Sequence, residues 1–305
     1  MQLRRIFYLP DGKRRFHSHS HQVRNLLLKK LEIGLFLVIL HIQTRLLDMV
    51  LLSFDTEEFD LPREHGIDIS LEKGIEVSVI GANRILDILK EKEVKATFFC
   101  TVNFAQHAPQ VMQRIITEGH EVASHSVDHW QQTEADVARS KEMLEQMCGC
   151  QVNGYRQPRM FPISDEVIEQ AGYLYNSSLH PAFIPGRYMH LDVPRRPFKT
   201  GKLLQIPASV SPWLRLPVFW LACHNYPQWL YRRLCLWTVR HDGQFVIYFH
   251  PWEFYPLAGH PEWKVPYIIS RHSGDGMVKR LRALIDTFKH EHEQFVTFTQ
   301  FTQMQ

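Results

Sequence analysis

Val50-Leu51-Leu52-Ser53-Phe54-Asp55, then an amphipathic run through Val77, Ile80, Ala82, Ile85, Leu86 and Leu89, then Lys95-Ala96-Thr97-Phe98-Phe99-Cys100: this stretch decides the fold. Its two flanking runs are short and apolar and carry Val50, Phe54, Thr97, Phe98 and Phe99, residue types common in buried strands. The run between them carries its apolar residues at helical spacing. Working outward, strand-like runs recur at 120–125, 154–156, 174–178, 203–207, 245–250 and 295–299. Amphipathic segments at 111–118, 136–146, 165–170 and 277–290 lie between them. Thr133-Glu134-Ala135-Asp136 and Ser164-Asp165-Glu166-Val167 have the polar chemistry of helix starts. Strand–helix alternation repeated this often predicts an α/β fold with a mostly parallel sheet, open or closed into a barrel. No fixed-period repeat and no long Gly/Ser- or Pro-rich linker interrupts it, so 49–305 reads as one domain.

The chain has 305 residues, 45% hydrophobic and 22% charged, which excludes a disordered or collagen-like protein. A net charge of +3 gives no reason to expect a nucleic-acid partner. That small total hides an asymmetry: residues 1–48 hold nine Lys/Arg against three Asp/Glu, and the rest is slightly acidic. The same 48 residues carry a His-Ser-His-Ser-His run at 17–21 and an apolar run at 31–42, broken by Glu32 and Gly34 and too short to span a membrane. This composition suits a weak membrane-surface anchor, a metal-binding His tract, or translated upstream sequence that is no part of the folded domain. The break at Met49 favours the last, with Met49 as the biological start. On that reading there is no export signal and the protein is cytoplasmic. Five cysteines, with Cys148 and Cys150 spaced as C-G-C, describe buried or idle thiols in a reducing compartment, not a disulfide framework.

Polar, chemically capable residues collect where predicted strands end: Asp55-Thr56-Glu57-Glu58-Phe59-Asp60, His125-Ser126-Val127-Asp128-His129, Arg156-Gln157-Pro158 and His250-Pro251-Trp252-Glu253. In parallel α/β architectures the carboxyl ends of strands are where function gathers. His125 and His129, four apart, share a face if the strand runs into a helical turn, and two imidazoles with one carboxylate make a zinc ligand set. Each element has a plainer reading. His17 and His21 show the same spacing, an acidic run is often a solvated loop, and a lone His250 or Arg156 suits a core histidine or a surface cation. Their coincidence at strand ends outweighs any one of them.

Asp55 with Glu57, His125 with His129, Arg156-Gln157-Pro158 and Phe249-His250-Pro251, in this order, resemble the motifs of the polysaccharide deacetylases with NodB homology, the fourth carbohydrate esterase family. The Lys95–Phe99 run resembles that family's second strand. The resemblance, from about Met49 to His250 or beyond, implies a distorted (β/α) barrel with Zn2+ or another divalent metal held by Glu57, His125 and His129. It implies Asp55 as general base, Arg156 as the residue orienting it, and His250 as general acid, with metal-bound water attacking an amide carbonyl. Here Thr56 separates Asp55 from the next carboxylate, Glu57 is one methylene longer than the family's aspartate, and Glu58 is the alternative ligand. The family's Asp-x-x-Asp-Trp motif, which positions the acid histidine, has no clear match, Asp192 being the nearest candidate.

The activity implied is removal of an N-acetyl group from an amino sugar of a polysaccharide or glycan precursor. An allantoin-like amidase of the same fold and an inactive carbohydrate-binding domain are the alternatives. The segment 213–240, with Trp213, Trp220, Trp229, Trp237 and Arg232-Arg233, reads as two packed helices covering the barrel, or as a platform for sugar rings or for weak association with a membrane surface.

Overall fold

β1 (Met49–Thr56) is buried along almost its whole length and lies between two neighbours in the sheet, as its continuous apolar run requires. The structure, a computed structural model, describes residues 48–160, 163–184, 188–189 and 191–305. The expectations for the basic extension therefore fall, apart from Asp48, outside the described residues. From β1 the chain enters the helix α1 (Leu71–Lys92), capped by Ser70, whose side chain accepts the Lys73 N–H. It continues through β2 (Thr97–Cys100), α2 (Val102–His107), α3 (Pro109–Thr117), β3 (Glu121–Ser124) and α4 (Ala135–Cys148). Next come β4 (Gly154–Tyr155), α5 (Asp165–Gln170), β5 (Tyr175–Asn176), β6 (Phe183–Ile184), β7 (Tyr188–Met189), β8 (Phe198–Thr200) and β9 (Leu203–Gln205). The last part holds α6 (Trp220–Asn225), α7 (Gln228–Asp242), β10 (Gln244–Phe249), α8 (Tyr267–Ser270), α9 (Asp275–His290), β11 (Gln294–Phe295) and α10 (Phe298–Gln303).

The main sheet runs β10-β1-β2-β3-β4-β5-β9-β8, with β11 also beside β1. Every pairing from β10 to β9 is parallel, and only the β8–β9 pair in this sheet is antiparallel. Period-two alternation divides its side chains. Leu51, Phe99, Ala123, Tyr175, Leu204, Ile206 and Val246 meet one another inside the curved sheet. Leu52, Phe98, Val122, Leu203 and Ile247 face outward and pack under the helices. The curve closes without a full ladder: beyond β9, the Ser209 N–H reaches the Val246 carbonyl (2.9 Å) and Ser209 Oγ accepts the Val246 N–H (2.8 Å). The result is the expected barrel, distorted at its seam.

At the base of the barrel, Phe298 and Phe301 of α10 plug the interior. The Glu121 carboxylate ties that plug to the sheet, accepting from Thr97 Oγ1 (2.7 Å), Tyr175 OH (2.8 Å) and the Thr299 N–H (3.0 Å). The expected strand at 295–299 is therefore only half a strand: it pairs over Gln294–Phe295 and then turns into a helix. Thr297 caps that helix, and Gln300 returns to the Thr297 N–H, so a capping box wins over the apolar alternation of Val296 and Phe298.

The segment 213–240 forms two helices, α6 and α7, as expected. Among the described residues no helix is long and apolar enough to cross a membrane. All five cysteines are free, with Cys100, Cys223 and Cys235 buried; burial pushes the Cys223 thiol up to about 12.

Candidate active site

The inward stripe of each strand turns polar at its carboxyl end. On β1 the parity that places Leu51 inside continues through Ser53 and Asp55 and on to Glu57. On β3 Ala123 is followed by His125, on β4 Gly154 by Arg156, and on β10 Val246 by Tyr248 and His250. Register brings these ends level. Phe54 pairs with Phe249, so Asp55 and His250 are the next step up, and Ser124 opposite Tyr155 sets His125 beside Arg156. Together they line a cavity of about 320 Å³ at the top of the barrel.

Glu57, His125 and His129 converge so closely that one ligand atom from each lies within 4.8 Å of the others. His125 Nε2 and His129 Nε2 each stand 3.1 Å from Glu57 Oε2. Their far nitrogens are tied back: His125 Nδ1 donates to the Arg156 carbonyl and His129 Nδ1 to Asp60 Oδ2, both at 2.8 Å. That leaves both Nε2 atoms directed at one point, with the outer partners that a metal-binding imidazole requires. The donor set of two imidazoles and a carboxylate fits zinc. Burial opposes the charge on Glu57, but His129, the His125 hydrogen bond and His250 outweigh it and lower the carboxyl to about 2. Burial likewise opposes the charge on His129, yet Glu57, Asp60 and Glu58 raise it to about 9.

The two histidines do not share a helical turn, although their spacing suggested one. Ser126 adopts a left-handed conformation (φ 65°), and α4 starts only at Ala135. The loop is held instead by α2, whose first free N–H groups, on Val102 and Asn103, donate to the Ser126 and Val127 carbonyls. Asp128 closes the turn by accepting the Trp130 and Gln131 N–H groups. Glu58 is engaged elsewhere: its oxygens accept from Thr101 Oγ1 and Asn103 Nδ2, each at 2.9 Å, and from the His129 backbone N–H at 3.4 Å. Of the two candidate ligands, Glu57 is the one placed to bind.

In the same cavity Arg156 Nη1 meets Asp55 Oδ1 at 2.5 Å. The guanidinium cannot swing, because Ser53 Oγ, the Ser177 carbonyl and Ser177 Oγ take three more of its N–H groups and its central carbon lies 3.9 Å from the centre of the Phe99 ring. Neither is the surface cation or solvated loop of the plainer reading; both are buried. His250 Nε2 is 4.0 Å from Asp55 Oδ2. Its ring stacks on Trp252 (4.6 Å between centroids, 19°), with Trp220 edge-on at 5.1 Å. Burial lowers the His250 imidazole, but the Glu253 hydrogen bond, with Glu57 and Asp55 nearby, raises it overall. The partner of His250 Nδ1 is thus Glu253, at 2.9 Å, and not Asp192, which is exposed.

The supporting residues Asp60, Trp252 and Glu253 all stand within the quoted strand-end runs, but nothing in those runs assigned them. Trp252 Nε1 donates to the second oxygen of Glu57 (3.1 Å), a link across 195 positions that no local spacing announces.

A polysaccharide deacetylase family model matches residues 64–175. The peptidoglycan-N-acetylmuramic acid deacetylase PdaA of Bacillus subtilis is 26% identical over 131 residues, 41% of this chain and 49% of that protein. The chain is related to the polysaccharide deacetylases. A solved structure named as a polysaccharide deacetylase from Mycobacterium smegmatis superposes with a TM-score of 0.59 at 21% identity, covering 84% of this chain and 89% of the other. The allantoinase PuuE superposes almost as well, with a TM-score of 0.58 at 16% identity and the same coverage. These two likenesses establish the NodB-type fold. The matches to the first curated relatives span from about a fifth to about half of those proteins' length.

Proposed function

We propose that this protein is a metal-dependent hydrolase that removes an N-acetyl group from an amino sugar of a polysaccharide or glycan precursor. The observation that carries the reading is the convergence of two groups in one cavity: the Glu57–His125–His129 triangle, and Asp55, braced by Arg156, with His250 within 4.0 Å of it. A divalent ion held by Glu57, His125 and His129 supplies Lewis-acid polarisation of the amide carbonyl and makes water a better nucleophile near neutral pH. Asp55 accepts the proton of the attacking water, its lone pair kept in place by the Arg156 bond. His250 Nε2 gives a proton to the nitrogen as the carbon–nitrogen bond breaks, and acetate and a free amine leave. Trp252 holds Glu57 from behind, and Trp220, Leu221 and Ile269 provide an apolar wall on which a sugar ring can lie.

The relation to a peptidoglycan deacetylase supports an N-acetylated glycan as substrate. The test is acetate release from N-acetylated chitooligosaccharides and peptidoglycan fragments, beside ring opening of allantoin. His250→Ala is expected to keep about one metal per chain by elemental analysis while losing on the order of 10²- to 10⁴-fold in turnover. Loss of metal in that variant would contradict the role given to His250. Ring opening without acetate release would make the protein an amidase of the same fold, and no turnover of either kind would leave a binding domain.

A further inference from the structure

Behind His250, on the side away from the cavity, Glu253 is completely buried. Its Oε1 accepts both the backbone N–H of His250 (2.6 Å) and its ring Nδ1–H (2.9 Å). Its Oε2 accepts from Nε2 of His224 on α6 (2.8 Å), and His224 is itself fully buried. The three side chains form a continuous His250–Glu253–His224 chain running inward from the cavity. Local structure makes the first link: Pro251–Phe254 is a single 3-10 turn, and Glu253, three residues after His250, folds back onto it as in a capping box.

A cap alone requires only the backbone bond. Here the same oxygen also takes the ring, and a second buried imidazole is spent on the other oxygen although its own Nδ1 is left without a partner. A buried polar atom without a partner is costly, so the arrangement asks for more than turn capping. An ionised carboxylate only accepts hydrogen bonds, so Nδ1 of His250 must carry a proton in either charge state. Nε2 is then the one ring atom free to release a proton, and it is the atom turned toward Asp55. Stacking on Trp252 keeps the ring from turning over.

We propose that Glu253, held in place by His224, is the positioning residue that fixes His250 in its Nδ1–H form with Nε2 facing the bond to be cleaved. This rests on the amide-hydrolase reading above for its purpose, but not for its geometry. As the carbon–nitrogen bond breaks, its electron pair stays on nitrogen and takes the proton from His250 Nε2. The ring is left neutral, with Nδ1–H still on Glu253, and recovers a proton from water in the next cycle. The Asp-x-x-Asp-Trp motif that the sequence lacks is thus replaced by a carboxylate three residues from the histidine it serves.

The test compares wild type with Glu253→Gln and His224→Gln in two readouts. In ¹⁵N spectra of the His250 ring at a pH where it is neutral, wild type should show a protonated Nδ1, and Glu253→Gln should move the ring toward the Nε2–H form. In turnover, Glu253→Gln should lower kcat for an N-acetylated amino sugar by about 100-fold or more, with KM little changed. Hydrolysis of p-nitrophenyl acetate, whose leaving group departs without a proton, should fall by less than about 10-fold. His224→Gln should show the same pattern at smaller size. Equal losses on both substrates with an unchanged ring tautomer would overturn the proposal and leave Glu253 as a structural cap. If wild type cleaves no amide, the hydrolase reading fails, and the tautomer readout still decides the positioning claim.

Discussion

Glu57 turns into the barrel and meets two imidazoles, whereas Glu58, one residue on, is consumed by Thr101 and Asn103. At this scale the sequence named the right residue types without saying which lone pairs were free. The parity of β1 settles that question, because Leu51, Ser53, Asp55 and Glu57 share one face. His129 shows what such crowding does. Placed between Glu57 and Asp60, it holds a proton up to about pH 9 in the metal-free protein. Its contribution to stability is therefore present below pH 6.5 and fades as pH rises to about 9. Glu57, lowered to about 2, contributes above pH 4.5 and loses that contribution as pH falls toward 2. A metal must displace the proton on His129 Nε2. Zinc affinity, measured by competition with a chelating dye, should thus rise about tenfold per pH unit from 7 to 9 and level off above. Asp60→Asn should move the break to lower pH. An affinity independent of pH over that range would remove His129 from the ligand set.

Among the elements, α1 and the turn after β10 are in closer contact than either sequence suggests. A Cβ built on Gly81 would stand 1.7 Å from the Pro251 carbonyl oxygen, a backbone atom that cannot step aside. The turn it presses on carries His250, Trp252 and Glu253. Gly81→Ala, which on helix propensity alone should stabilise by about 1 kcal/mol, should instead destabilise by about 1–3 kcal/mol and lower turnover with it. A thermal melt checks this, and an unchanged or raised Tm would contradict the packing. β1, β2 and β10 were legible because each is an apolar run buried along nearly its whole length. β6, β7 and β8 were not: each has two or three residues and pairs antiparallel, outside the strand–helix alternation that marked the equally short β4, β5 and β9. The last strand was read too long because Val296 and Phe298 alternate like a strand, while the Thr297–Gln300 capping box that ends it was in plain view. Spacing alone could bring His125 and His129 together only through a helical turn, because it does not show that Ser126 takes a left-handed conformation.

Over the whole molecule the barrel separates stability from chemistry. Its base is closed by Phe298, Phe301 and the satisfied Glu121 carboxylate, its middle is apolar, and its top gathers six polar residues from four strand ends. That segregation made the site readable before the structure: in a parallel sheet, polar residues that follow apolar strands in sequence must meet at one end. What strand order could not reveal was the supporting layer. Asp60, Trp252, Glu253 and His224 act across distances of 3 to 195 residues in the chain and were identified only by what they touch. In the proposed function, amide hydrolysis depends on a metal held at the Glu57–His125–His129 triangle. The most direct measurement is acetate released from an N-acetylated chitooligosaccharide, taken before chelation, after chelation and after zinc is restored. Acetate matched by free amine is expected, lost on chelation and restored with zinc in wild type but not in Glu57→Ala. Acetate release that continues undiminished in the chelated protein would contradict that dependence.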